Sequence, residues 1–146
     1  MKTGNFTIIL FALLFLSSCC REKESIIGTW SFCLDGIYHE LYINESLIAE
    51  CTHGIMAVSP SNQYILNNDT IFIYRDENIV NHIPIPIIEK NKIVIFYDDN
   101  WVVCDRVSEV ESIYYQETFV NRKELNRFIF RFKLRAQKTD CEGSPF

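Results

Sequence analysis

The sequence predicts an all-β protein built around a small antiparallel up-and-down barrel of about eight strands. Three observations carry that prediction. Hydrophobic residues alternate with polar ones at period two through most of residues 28–107. Turn-forming residues interrupt the alternation about every ten residues. No useful length of helical periodicity separates the segments, and near-sequential hairpins favour an up-and-down order.

The strands follow in order. Residues 28–34 place Trp30, Phe32 and Leu34 on one face. Asp35-Gly36 is a strong two-residue hairpin signal. Residues 37–43 alternate Ile37, His39, Leu41 and Ile43 against Tyr38, Glu40 and Tyr42. Asn44-Glu45 turns the chain into a third strand at 47–52. The stretch 54–62 is irregular, with a short strand at 55–58. Strands at 63–66 and 70–75 flank the turn cluster Asn67-Asn68-Asp69. Residues 83–88 contain Pro84 and Pro86, which cannot donate to a ladder, so an edge or bulged strand is expected. Strands at 92–97 and 101–107 flank Asp98-Asp99-Asn100.

The first 18 residues are of another kind. Lys2 precedes an apolar run from Ile8 to Leu16, followed by Ser17 and Ser18. A run of about nine residues is too short for a bilayer core, which needs ~20. It has the form of an export signal. Leu16-Ser17-Ser18-Cys19 resembles the lipobox of bacterial lipoproteins. The resemblance implies that residues 1–18 are removed and that Cys19 carries lipid at the mature N-terminus. Cys20 fits less well, because Ser17 would then occupy the branched apolar position. Residues 19–25 are the tether, and a Cys rather than an Asp after Cys19 favours the outer membrane, on its periplasmic or surface face. Two or three acyl chains anchor stably where one would be marginal. Losing Lys2 takes the net charge from -5 to -6.

Such an acidic chain is a poor partner for nucleic acid. The expected partners are the membrane, through the lipid, and a small apolar ligand or an envelope protein. Export implies an oxidising compartment. Cys33 and Cys51 lie in neighbouring hairpins and form one candidate bridge. Cys104 and Cys141 form another, although connectivity is not readable from sequence. Cys51, His53, His39 and His82 match no zinc spacing, so no metal or cofactor is expected. There is no nucleophile elbow or phosphate loop, Ser59 and Ser61 flank a loop proline, and Asp98-Asp99 reads as a turn. A non-enzyme is expected.

Gly28-Thr29-Trp30 resembles the G-x-W that opens lipocalins, and Arg106 stands where that family carries an Arg near the end of its last barrel strand. The resemblance implies that Arg106 lies over Trp30 and closes the barrel floor. It covers residues 28–107 of a barrel domain at 26–107 and is nearer to the short lipocalin-like domains of bacterial lipoproteins than to full-length lipocalins, which have a C-terminal helix. In a cavity of this kind the inward aromatics would be Trp30, Phe32, Tyr42, Phe72, Tyr74, Phe96 and Trp101. The resemblance to periplasmic lysozyme inhibitors gives a second expectation, a filled barrel that contacts a protein through the 53–62 loop.

Residues 108–146 form a C-terminal extension. Phe128, Phe130, Phe132 and Leu134 alternate with Ile129, Arg131, Lys133 and Arg135, which favours a strand; Leu125, Phe128, Ile129 and Phe132 allow a helix. The extension either opens a further β-unit, truncated here, or packs on the outside of the barrel. Its basic residues, including Arg122, Lys123 and Arg127, form a positive patch on an acidic protein.

Overall fold

A computed structural model describes residues 25–53, 57–59, 61–108 and 122–141. The lipobox, Cys19, Cys20, most of the tether and Tyr114–Tyr115 lie outside them. Ten antiparallel strands form one sheet: β1 (Gly28–Leu34), β2 (Ile37–Ile43), β3 (Leu47–Thr52), β4 (Ala57–Val58), β5 (Asn62–Asn67), β6 (Thr70–Arg75), β7 (Asn78–Pro84), β8 (Ile87–Ile88), β9 (Lys92–Tyr97) and β10 (Asn100–Arg106). One helix, α1, spans Arg122–Lys138.

Four hairpins turn on two residues each: Asp35-Gly36, Asn68-Asp69, Asp76-Glu77 and Asp98-Asp99. All eight central residues have positive φ. That is the turn whose twist matches the strands it joins, and Gly, Asn and Asp tolerate it best. Asp76-Glu77 carried no strong sequence signal, so β7 was not foreseen as a strand of its own. The expected 83–88 strand divides into the end of β7 and the short β8.

The strand order is β7-β6-β5-β3-β2-β1-β10-β9-β8, with β4 beside β3. The expected closure into a barrel does not occur, for no ladder joins β7 to β8 or β9. The physical reason lies in the sequence between the two ends of the path. Pro84-Ile85-Pro86 joins them directly, and the two prolines remove the N–H groups a closing ladder would need. Ile85 crosses there instead, fully buried, with its N–H donated to the Asp69 carbonyl at 2.6 Å. The sheet is a cup curled around an apolar core that includes Trp30, Phe32, Leu41, Ile71, Ile83, Ile93 and Ile95.

The expected C-terminal strand is a helix. Phe128, Phe132 and Ala136 recur every four residues and form its buried stripe, while Phe130 is 63% exposed. The stripe packs on the outer face of β2 and β3, making a second core with Tyr38, Tyr42 and Cys51. Phe132 meets Tyr38 at 5.5 Å between ring centroids, and Phe128 meets Tyr42 at 6.1 Å. A disulfide joins Cys33 on β1 to Cys141 just beyond the helix. Neither expected bridge forms: Cys51 and Cys104 are free and buried, because Cys51 lies under the helix and Cys104 faces the inner core.

Candidate binding site at the open end of the cup

The two ends of the cup are built differently. At one end Trp30 is completely buried, and its indole N–H donates to the Ile26 carbonyl at 2.7 Å. The Arg106 guanidinium lies 4.2 Å from the Trp30 ring centroid. Its nitrogens donate to the carbonyls of Lys90 (2.6 Å), Ile27 (3.0 Å) and Ser25 (3.0 Å). One planar fork therefore ties three segments together while its face covers the indole. Gly28 has φ +145°, and a Cβ there would stand 2.6 Å from Arg106 Nη1. The Gly of the G-x-W pattern is needed because the arginine occupies the space of a side chain.

At the other end the inner face becomes polar. The β2–β3 register sets Leu41 opposite Glu50 and His39 opposite Thr52, which points all four inward. His39 Nδ1 lies 2.7 Å from Glu50 Oε1, so that nitrogen carries the bridging proton. Thr52 Oγ1 donates to the same oxygen at 3.3 Å. From β9, the Tyr97 hydroxyl donates to Glu50 Oε2 at 2.5 Å. Phe32 stacks against the His39 ring at 4.9 Å and meets Tyr97 edge-on at 5.5 Å, fixing both partners.

Burial by itself would raise the Glu50 carboxyl. The hydrogen bonds from His39, Tyr97 and Thr52, with the charge on His39, outweigh it and hold the carboxyl below its ordinary value. Burial and the neighbouring carboxylate push the Tyr97 phenol up, so it stays a donor. The Cys51 thiol is pushed up to about 12 by burial and then by Glu40, and burial raises Cys104 as well. Neither thiol has nucleophilic character.

The carboxylate, imidazole and phenol line a cavity of about 640 Å³ between β7 and β9, with Asn81, His82 and the Asp98-Asp99 turn at its rim. A second space of about 320 Å³ shares Glu50, Asn81, Ile83 and Tyr97 and reaches Arg75 on β6. The opening lies where the sheet fails to close.

Of the seven aromatics expected to face a cavity, Trp30 and Phe32 point inward. Tyr42 lies under the helix. On β6 the inner positions are Ile71 and Ile73, which leaves Phe72 and Tyr74 on the outer face. On β9 and β10 they are Ile93, Ile95, Val102 and Cys104. Phe96 and Trp101 accordingly pack against each other, tilted, at 4.9 Å between ring centroids, with Trp101 61% exposed. Sequence reasoning missed Glu50, Thr52 and Tyr97. The available signal was one acidic residue, Glu50, between Ile48 and Thr52 on the inward face of β3.

Among the described residues no group of three or more His, Cys, Asp or Glu side chains is placed to hold a metal ion. No helix among them is long and apolar enough to cross a membrane. Compared with known proteins, the chain matches no family model, no curated protein and no solved structure.

Proposed function

We propose that this protein is a lipid-anchored, lipocalin-like binding module of the cell envelope, without catalytic activity, that takes a small ligand at the open end of its cup. The observation that carries the reading is the cavity of about 640 Å³ at the end opposite the Arg106 plug, lined by a pre-organised Glu50–His39–Tyr97 cluster. Pockets with a few convergent polar groups on a rigid scaffold are the usual form of small-molecule sites. The lipocalin likeness is supported by the Gly28-Thr29-Trp30 opening, the Arg106 stack on Trp30 and the helix on the outer wall. That helix makes full-length lipocalins, rather than the short lipoprotein domains, the nearer comparison.

The anchor joins the cup at one end. Ser25 sits at the plugged end, bonded to Arg106, six positions beyond Cys19. Six extended residues reach about 20 Å. A lipid on Cys19 would thus attach nearer the plugged end than the mouth. The arrangement also speaks against catalysis. Thr52 is the hydroxyl within reach of His39, and it shares Nδ1 with Glu50 instead of lying across the ring from it.

Native mass spectrometry of the protein extracted from its own envelope tests the reading. The expected spectrum shows the Cys19 acyl increment and a co-purified small molecule. A co-purified protein with an empty cup would favour the interaction-module alternative, for which Trp101 and Val103, exposed together on β10, are the natural surface.

A further inference from the structure

The ligand chemistry can be read from the lining of the mouth, on the premise that the mouth is the binding site. Glu50 has four acceptor directions on its two oxygens. His39 and Thr52 occupy Oε1, and Tyr97 takes one direction on Oε2. One direction on Oε2 is left for a donor from outside. The groups facing it come from every element around the opening. His39 is on β2, Thr52 on β3, Asn81 and His82 on β7, Tyr97 on β9, and Asp98 and Asp99 on the β9–β10 turn. Three of these side chains are carboxylates, counting Glu50, and the lining of this cavity holds no lysine or arginine. Arg75 lies across the adjoining space, with its guanidinium 3.5 Å from the Asn62 side-chain oxygen. An anion entering the mouth would meet Glu50, Asp98 and Asp99, with no lysine or arginine beside them and with His39 already bonded to Glu50. A cation would meet an unfilled acceptor and aromatic rings, whose faces attract positive charge.

We infer that the open end of the cup selects a small organic cation, an ammonium group carried on an apolar body. Its N–H donates to Glu50 Oε2, and its body lies against Leu34, Ile83 and the Tyr97 ring. The apolar ligand expected from the sequence gains a charged head.

The test titrates the full-length protein, in a neutral detergent at neutral pH, with three probes of one shape: phenethylammonium, phenethyl alcohol and hydrocinnamate. Calorimetry gives affinities, and amide NMR shifts of His39, Glu50, Asn81 and Tyr97 report the site. Phenethylammonium is expected to bind most tightly, with hydrocinnamate weakest. Glu50→Gln should weaken the cation about tenfold, which corresponds to about 1.4 kcal/mol, and leave the alcohol unchanged. The Asp98→Asn, Asp99→Asn double variant keeps the turn, because Asn tolerates positive φ. It should weaken the cation roughly threefold, an effect erased by high salt. If the alcohol or hydrocinnamate binds as well as the cation, charge selection is overturned while the binding module stands. If none of the three moves the mouth amides, the inference and the proposed function fail together.

Discussion

Glu40 and Glu50 occupy adjacent strands, one on each face of the same sheet, and both are held by tyrosines and a basic side chain. Glu40 is completely buried. It accepts from the Tyr38 hydroxyl at 2.6 Å, from the Tyr42 hydroxyl, and from Arg135 through Nε (2.7 Å) and Nη2 (3.0 Å). Glu50 has a side chain 21% exposed and meets a histidine instead of an arginine. The outer cluster is covered by a helix that a disulfide fastens down, and its charge is paired to that helix through Arg135. The inner cluster opens on a cavity and keeps an acceptor direction free. Similar chemistry is structural where it is covered and available to a ligand where it is not.

The difference can be broken from either side. The largest effect is expected at Arg135→Met, which strands the Glu40 carboxylate under an apolar helix and should cost about 3–5 kcal/mol in urea unfolding. Adding Glu40→Gln to that variant should restore most of the loss, since a neutral side chain needs no counter-ion. A double variant as unstable as the single would show that the arginine acts through packing. Next comes Cys141→Ser. It opens a bridge spanning 108 residues of sequence and should lower stability by about 2–4 kcal/mol. The oxidised wild type should fall to the variant's thermal midpoint when reductant is added. Unchanged midpoints would mean that the ion pair alone holds the helix.

The inner cluster responds more weakly and through pH. The folded Glu50 carboxyl lies below its ordinary value of 4.5. Its contribution is fully present above that value and is lost as pH falls through the lower folded value. Glu50→Gln should therefore narrow the gap to wild type on acidification below about 4.5. A gap independent of pH in that window would assign Glu50 a purely steric role. The smallest effect is expected at Trp101→Ala on the exposed outer face, within about 0.5 kcal/mol in the same urea titration. A larger loss would mean that the Phe96–Trp101 pair stabilises the β9–β10 hairpin.

How far the sequence could be read depended on whether a strand carries one apolar face or two. In β1 the inward set Trp30, Phe32 and Leu34 alternates with Thr29, Ser31 and Cys33, so the buried face has a sign. In β6 the inward Ile71 and Ile73 alternate with Phe72 and Tyr74, and in β9 Ile93 and Ile95 alternate with Phe96. Both faces there are apolar, so period two reveals a strand without saying which side is inside. Size then misleads, because the larger aromatic rings face outward and the aliphatic side chains line the inside. The helix failed to show for a related reason. Phe128, Phe130, Phe132 and Leu134 satisfy period two, yet only Phe128 and Phe132 are buried, because they share a helical face with Ala136. What settles helix over strand is the outer face of β2, where Tyr38, Glu40 and Tyr42 need an apolar cover and a cation, and α1 supplies both.

Local chemistry was enough for most of the strands and for three of the four two-residue turns, and the resemblance to lipocalins pointed to the Gly28–Trp30–Arg106 plug. Each is governed by residues whose backbone or side-chain preference leaves little choice: a positive φ, a strict alternation, a glycine under an arginine. Closure, disulfide partners and the mouth depended on the fold as a whole. They bring together residues up to 108 positions apart in the chain, as with Cys33 and Cys141. Such meetings are set by strand register and by which end of the sheet the prolines leave open, quantities that no single segment carries.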